Sequence, residues 1–330
     1  MVRSGMRRAR IKIAAEEGEA VYHCITRVVN GERLLDETAR EVLRQQLWQI
    51  SDFCGVEVLT YTILSNHFHV LLRVPFRPVL TDDELLRRYR VLYPVPTPYQ
   101  SARLEVVEAQ LKSGGAEAEA WRRRNLSLMY DVSQFMKLLK QRFTIWFNHA
   151  HARFGTLWAE RFKSVLIESE RDVMQTVAAY IDLNAVRAGL VADPKDYRFC
   201  GYAEAVGGKT RARAGLRAVL GRRGWSDTQA AYRQVLYGTG SDVRDGAADI
   251  PRDAFAKVVA ERGRLPLATV LRCRWRYFSD GAVLGGRAFV ATQRARFRSA
   301  EMPRTPENLA PIGDWGGLTT LHRLRGDVSA

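Results

Sequence analysis

Cysteine is scarce in this sequence, and the few that are present lie far apart. The 330 residues contain four cysteines, Cys24, Cys54, Cys200 and Cys273, and no two of them form a CxxC pair. Zinc ribbons and disulfide-stapled scaffolds need numerous or closely spaced cysteines. The sequence therefore argues against both classes of site, and we expect reduced thiols.

Long apolar runs are also missing. No stretch approaches the roughly 20 consecutive apolar residues that a membrane-spanning helix requires. The basic segment 1–20 lacks the apolar run of a signal peptide. We therefore expect a soluble, cytoplasmic protein without a membrane partner.

Acidic residues are outnumbered by basic ones. The chain has 36 Asp and Glu against 51 Lys and Arg, a formal net charge of +15, and its pI is about 10.0. This excess favours a polyanionic partner, above all nucleic acid, although a solvated basic surface would give the same balance. Most of the basic side chains are arginine, whose planar fork binds phosphate bidentately or stacks on bases.

The first 200 residues alternate between runs typical of strands and runs with helical spacing. The predicted strands are 21–29, 56–64, 67–74 and 158–167, and the predicted helices are 36–52, 128–148 and 169–189. The dipeptide Ser65-Asn66 supplies the turn between the second and third strands. This order predicts an α+β fold, a ferredoxin-like antiparallel sheet with helices on one face, plus a basic C-terminal extension.

Two segments stand outside that core. Residues 76–126 hold a proline-rich run and a Gly-Gly pair between charged helical pieces, which predicts a helical insertion within a domain of residues 1–206. Residues 207–330 form a second, basic region, in which the stretch from 208 onward has 22 basic and 11 acidic residues, a net charge of +11. Its alternating Arg272, Arg274 and Arg276 indicate a strand edge for DNA backbone contact, while a packing or solubility role stays open.

A pair of histidines stands within the third predicted strand. His67 and His69 are two residues apart, so both point to the same face of a sheet. Two adjacent imidazoles form half of a divalent-metal site, or they can simply pack and hydrogen-bond there. Burying a polar side chain in the middle of a sheet costs free energy unless the side chain forms a hydrogen bond or binds a ligand. His23, on the first strand, is interpreted as structural.

The last predicted helix carries a stripe that changes from apolar to polar. Val173, Val177, Tyr180, Asn184 and Arg187 are spaced by four, three, four and three residues, which places them on one helical face. The two valines suit packing on a sheet. The three polar residues that follow indicate a site at the sheet edge, although a tyrosine is often a core residue whose hydroxyl reaches water.

Four blocks of sequence resemble a known family in consistent order over residues 20–200. They are YHCITRVVNGER (22–33), LSNHFHVLL (64–72), FGTLWAERFKS (154–164) and AAYIDLNAVRAGLV (178–191). Together they resemble the REP-associated tyrosine transposases, a group of single-tyrosine HUH transposases. The resemblance implies cleavage and rejoining of single-stranded DNA at palindromic, hairpin-forming repeats by a nucleoid-associated monomer or homodimer.

The resemblance also implies roles for individual residues. His67 and His69 match the pair that binds Mg²⁺ or Mn²⁺, and Tyr180 matches the nucleophile that forms a 5′-phosphotyrosine bond. Asn184 matches a third metal contact, in a position where some relatives have Gln. The candidate DNA contacts are Arg161 and Lys163, in the AERFKS block, and Arg187 on the helix stripe.

Alternatives remain open at this stage. One is a domesticated protein that keeps the fold and binds nucleic acid without catalysis. Another is a metal-dependent phosphodiesterase that uses water as the nucleophile. Trp158, Phe162 and Tyr197 are candidates for stacking on unpaired bases, although a core position is the favoured interpretation for each.

Overall fold

The computed structural model describes residues 12–169, 171–240, 250–264, 281–286, 309–311 and 318–322. The strands are β1 (Ala20–Arg27), β2 (Glu57–Ile63), β3 (His67–Val74), β4 (Lys163–Ile167), β5 (Gly281–Gly286), β6 (Leu309–Pro311) and β7 (Leu318–His322). The helices are α1 (Glu37–Cys54), α2 (Asp82–Val91), α3 (Pro98–Ser113), α4 (Ala116–Leu126), α5 (Val132–Ala150), α6 (Arg171–Asp182), α7 (Asn184–Arg187), α8 (Gly201–Val206), α9 (Thr210–Leu220), α10 (Trp225–Gly240) and α11 (Arg252–Ala260). The predicted contacts Arg272, Arg274 and Arg276 lie outside the described residues.

Four strands form an antiparallel sheet in the order β2-β3-β1-β4. With α1 between β1 and β2, and α5 between β3 and β4, this is the ferredoxin-like topology, and the predicted fold class is confirmed. The strands β5, β6 and β7 form a separate three-stranded sheet in the order β5-β7-β6.

The hairpin between β2 and β3 turns at Ser65 and Asn66, as predicted. The backbone N–H of Leu64 donates to the carbonyl of His67 at 2.8 Å. The last strand is shorter than predicted, because β4 begins at Lys163 and Trp158 makes only an isolated bridge to Val28. Trp158 instead packs its ring against Phe68 of β3.

The two crossover helices pack on one face of the sheet, as predicted, but α6 and α9 contact the sheet from the other face, so the helices are not confined to one side. Asp36 caps α1 by accepting a hydrogen bond from the N–H of Ala39 at 2.7 Å. Trp48 of α1 lies edge-on to Tyr61 of β2, and Phe143 of α5 contacts Trp158. These aromatic contacts close the main core on that side.

Helix α6 covers β2 and β3 on the opposite face. The hydroxyl of Thr62 donates to the carbonyl of Ile181 at 2.7 Å. The buried side of the helix includes Met174, Ala178 and Ile181, whereas Val173 is exposed. The buried face of α6 therefore lies one position away from the valine stripe inferred from spacing, and Val177 packs against the core only partly buried.

Packing on the sheet continues beyond residue 206. A Cβ atom at Gly215 of α9 would lie 2.4 Å from the carbonyl oxygen of Leu59, so only glycine permits this helix to sit against β2. Tyr232 of α10 donates from its hydroxyl to Asp182 of α6 at 2.6 Å. Helices α9 and α10 therefore support the tyrosine helix from outside the sheet.

Residues 82–126 form three helices that follow the β3 strand. Thr97 and Gln100 form a capping box at the start of α3. Arg122 of α4 pairs with Asp82 of α2 at 2.6 Å, and α2 packs on α1. Among the described helices, none is both long and apolar enough to span a bilayer.

Candidate active site

His67 and His69 lie side by side on the sheet face that α6 covers. Strand pairing places His69 opposite Ile25 of β1 and Thr62 of β2. The two imidazole ring centroids are 5.1 Å apart, and His69 is only 4% exposed. The strand alternation therefore brings the predicted pair together on one face.

A third histidine joins them. The Nε2 atom of His23 lies 2.9 Å from Nδ1 of His69, and the two rings stack with centroids 5.2 Å apart. His23 was interpreted from sequence as structural, and the structure adds it to the site. Antiparallel pairing of two central strands, with His23 facing the same side as His69, is the signal that could have identified it.

Asn66 contacts the other member of the pair. Its Oδ1 atom lies 2.6 Å from Nδ1 of His67, and its Nδ2 donates to the carbonyl of Gly31 at 3.3 Å. Asn66 thus links the β2–β3 turn both to the site and to the loop that follows β1.

Burial keeps these imidazoles neutral. Desolvation lowers the pKa of His69 to about 3, with the neighbouring charges of His23, His67 and Arg27 acting in the same direction. Burial also lowers the pKa of His23 to about 4. The pKa of His67 is lowered by burial and then by Arg27. At neutral pH all three rings hold a nitrogen lone pair, the form that binds metal ions.

The side chain of Tyr180 extends from α6 to this histidine cluster. Its ring is edge-on to His69 with centroids 5.9 Å apart, and to His23 with centroids 6.0 Å apart. The guanidinium of Arg187 lies 4.8 Å from the centroid of the Tyr180 ring, a cation–π contact. The half-buried tyrosine is thus held between imidazoles and an arginine.

Asn184 occupies the break between α6 and α7. Its Nδ2 donates to the carbonyls of Tyr180, at 2.8 Å, and Ile181, at 3.1 Å. This leaves the amide oxygen as the atom that could bind a metal ion. The described part of the chain contains no group of three or more His, Cys, Asp or Glu side chains arranged to hold a metal. The role of Asn184 as a third metal contact stays a prediction.

Asp182 is a residue that sequence reasoning missed. It is fully buried and accepts hydrogen bonds from the hydroxyls of Thr60 and Tyr232 and from the N–H of Tyr202. Burial raises the pKa of this carboxyl to about 7, and the hydrogen bonds oppose that shift. Asp182 anchors the tyrosine helix to β2, α8 and α10.

The sheet face beside the histidines is basic and open. Arg27 pairs in register with His67, and Lys163 pairs with Ile25, so both lie on the histidine face. Both side chains are exposed, as is Arg161 in the loop just before β4. Lys163 also pairs with Glu160 at 2.9 Å. Arg27 was not among the predicted DNA contacts, although its place two residues beyond Ile25 could have suggested it.

The three aromatic candidates for base stacking belong to the core. Trp158, Phe162 and Tyr197 are each 7% exposed. The hydroxyl of Tyr197 donates to the carbonyl of Ile63 at 2.7 Å. These rings are therefore not available to unpaired bases, and the core alternative is the correct one.

Comparisons with known proteins give a distant structural likeness. A solved structure described as a REP-associated tyrosine transposase bound to a REP hairpin is similar to this chain, with 17% sequence identity and a TM-score of 0.36. The match covers 61% of this chain and 84% of that one. No protein-family model matches the sequence, and no curated protein does.

Proposed function

We propose that this protein cleaves and rejoins single-stranded DNA through a covalent bond between Tyr180 and a 5′-phosphate. The observation that carries the proposal is the position of Tyr180, edge-on to His69 and His23 with ring centroids 5.9 and 6.0 Å away. A tyrosine ring beside histidines on a sheet face brings together a potential nucleophile and potential metal ligands.

His67 and His69 are the residues that would hold a divalent cation. Their rings are neutral, share one face and lie 5.1 Å apart, and this donor set fits a cation that accepts nitrogen ligands. Imidazole suits Mn²⁺ better than Mg²⁺, which prefers oxygen. The cation would neutralise charge that grows on the phosphate oxygens during the displacement.

The chain's own contribution to the reaction is placement of the phenol. The oxygen of Tyr180 forms a bond to phosphorus as its proton passes to water, and the bond from phosphorus to the 3′-oxygen breaks. The released 3′-oxygen takes a proton from water. The anchored helix supplies orientation, which is worth several kcal/mol in displacement reactions. Because the new ester retains the phosphodiester energy, the reverse attack by a 3′-hydroxyl rejoins strands without a nucleotide cofactor.

The proposed substrate is a single strand that flanks a palindromic hairpin. Arg27 and Lys163 flank the histidine face, and their charges suit two backbone phosphates of a strand lying along β1 and β4. The formal net charge of +15 would draw such a strand towards the protein. A duplex would not bring its backbone against the half-buried Tyr180 as readily as a flexible single strand.

The test follows the two ends of a hairpin oligonucleotide separately. The protein is incubated with Mn²⁺ and DNA labelled at either the 5′ or the 3′ end, and products are separated on a denaturing gel. We expect the 3′ label to move with the protein and the 5′ label to end in a free fragment. Tyr180→Phe should abolish the adduct, and Tyr99→Phe, at an exposed position on α3, should leave it intact.

Other outcomes would identify the alternatives. Free fragments that persist in Tyr180→Phe would mean that water is the nucleophile, and the protein would be a metal-dependent phosphodiesterase. Binding of the hairpin without any cleavage in Mn²⁺ or Mg²⁺ would favour a non-catalytic nucleic-acid-binding protein. EDTA added before the DNA should prevent adduct formation, and excess Mn²⁺ should restore it.

A further inference from the structure

Both histidines of the pair have their Nδ1 atoms occupied by a neighbouring side chain. Asn66 Oδ1 lies 2.6 Å from Nδ1 of His67, and His23 Nε2 lies 2.9 Å from Nδ1 of His69. Across the described residues, neither Nε2 atom of the pair has a hydrogen-bonding partner. In both rings the Nδ1 side therefore contacts a neighbouring side chain, and the neighbour is a different residue in each case.

The partner of His67 can only accept. The orientation of the Asn66 amide is fixed by its Nδ2, which donates to the carbonyl of Gly31. Its Oδ1 therefore faces His67, and an amide oxygen has no proton to give. Nδ1 of His67 must carry the hydrogen, which leaves the lone pair on Nε2.

His23, the partner of His69, can likewise act as a hydrogen-bond acceptor. If Nδ1 of His69 donates to Nε2 of His23, then His23 carries its own hydrogen on Nδ1, and the lone pair of His69 is on Nε2. A neutral imidazole has one ring hydrogen to place, on Nδ1 or on Nε2. The stacked geometry, with an interplanar angle of 20°, restricts rotation of the His69 ring.

We propose that Asn66 and His23 are positioning residues that set the tautomer and orientation of His67 and His69, so that both Nε2 atoms face one divalent cation. The proposal rests on the proposed function and deepens it. Hydrogen-bond acceptors behind metal-bound imidazoles commonly fix the tautomer and raise ligand basicity, and losing one costs about 10- to 100-fold in metal affinity. His23 also lies edge-on to Tyr180, so it links the orientation of the cation site to that of the nucleophile.

The first measurement needs no variant. Long-range ¹H–¹⁵N spectra of the metal-free protein, with its six histidines, report which ring nitrogen carries hydrogen. We expect His67 and His69 both as the Nδ1–H tautomer. An Nε2–H tautomer for either of them would overturn the proposal for that residue's partner.

The second measurement is the Mn²⁺ dissociation constant of the full chain, from the electron paramagnetic resonance signal of the free ion. Asn66→Ala and His23→Phe should each weaken binding about 10- to 100-fold. His23→Gln keeps an acceptor and should recover much of the affinity. Ser65→Ala, in the same turn, and His151→Phe, where the ring stacks on Phe147, are the matched controls and should bind as the wild type does.

A double variant distinguishes a positioning role of His23 from a nonspecific effect of its substitution on the protein structure. Because His23 acts through His69, adding His23→Phe to His69→Ala should weaken Mn²⁺ binding little further. Full affinity in both Asn66→Ala and His23→Phe, with affinity lost in His67→Ala and His69→Ala, would overturn the positioning roles alone. Unchanged Mn²⁺ binding in His67→Ala and His69→Ala would instead remove the cation site from the proposed function.

Discussion

Tyr180 and His69 meet within one chain, with their ring centroids 5.9 Å apart. The helix that carries Tyr180 is tied to the strand next to His69 by two threonines, since Thr62 donates to the carbonyl of Ile181 and Thr60 donates to Asp182. In a swapped dimer these contacts would be made by another copy. The intact set of contacts within the chain places Tyr180 and the histidines together without a second subunit.

The first prediction is therefore that Tyr180 acts in cis. Tyr180→Phe and His69→Ala should each be inactive, and a mixture of the two should stay inactive after joint refolding. Exchange of tyrosine helices between subunits would instead create some intact sites and restore covalent adduct. The measurement is adduct formation on a denaturing gel. Mixing wild type with either variant serves as the control, in which adduct should scale with the wild-type fraction.

The second prediction concerns the anchor of the tyrosine helix. Asp182→Ala removes the shared acceptor of Thr60 and Tyr232 and leaves buried hydroxyls without partners. Each buried group left unsatisfied costs about 1–3 kcal/mol, so we expect the free energy of unfolding to fall by about 3 kcal/mol or more. Urea denaturation measures it. Asp172→Ala, exposed in the first turn of the same helix, should change stability by less than about 0.5 kcal/mol.

Much of this fold is readable from local sequence pattern. The alternation in HFHVLLRV predicts the strand from His67 to Val74, and the structure has it at those bounds. Strand alternation also predicts that His67 and His69 share a face. The order of strands and helices then restricts the sheet to few topologies, because crossover connections have a fixed hand.

Local sequence patterns do not reveal which distant segments of the chain pair with each other. His23 is 46 residues from His69, and only the register of β1 against β3 brings their rings together. Asp182 reads as one more polar residue in the helix, yet α8 and α10 bury it completely. Both residues depend on long-range packing, and a single sequence shows neither the register nor the docking of later helices.

The third prediction tests the basic strip beside the histidines. Arg27→Ala and Lys163→Ala should each weaken binding of a single-stranded oligonucleotide, and each should reduce the slope of log affinity against log salt by about 0.7. Lys112→Ala, exposed on α3, should change neither quantity. Fluorescence anisotropy across a salt series measures both. An unchanged slope in Arg27→Ala would mean that this side chain does not contact a phosphate.

The last prediction uses the buried ion cluster between the Asp193 loop and α10. Asp193 Oδ2 lies 2.6 Å from Lys195 Nζ and 2.9 Å from Arg233 Nη2, and it accepts from the hydroxyl of Tyr237. Burial alone would raise the pKa of Asp193, but Arg233 and Lys195 outweigh burial and hold the pKa below its usual value. The carboxylate thus stabilises the fold above the unfolded-state pKa near 3.8, and that contribution is lost as the pH falls through the lower, folded-state pKa.

Asp193→Asn should accordingly lower the free energy of unfolding at pH 7 by about 3–5 kcal/mol, since buried Arg233 loses the carboxylate it pairs with and Lys195 keeps only Asp196, 3.0 Å away. The gap between wild type and variant should stay constant from pH 8 to about 5 and narrow below about 4, where Asp193 of the unfolded wild type takes up a proton while the folded carboxylate is still charged. Urea denaturation midpoints of wild type and variant, measured across this pH range, test the prediction. Asp227→Asn, at an exposed position in the first turn of α10, is the control and should change the free energy of unfolding at pH 7 by less than about 0.5 kcal/mol. A difference that persists undiminished at the lowest pH would mean that the lost interaction is not ionic.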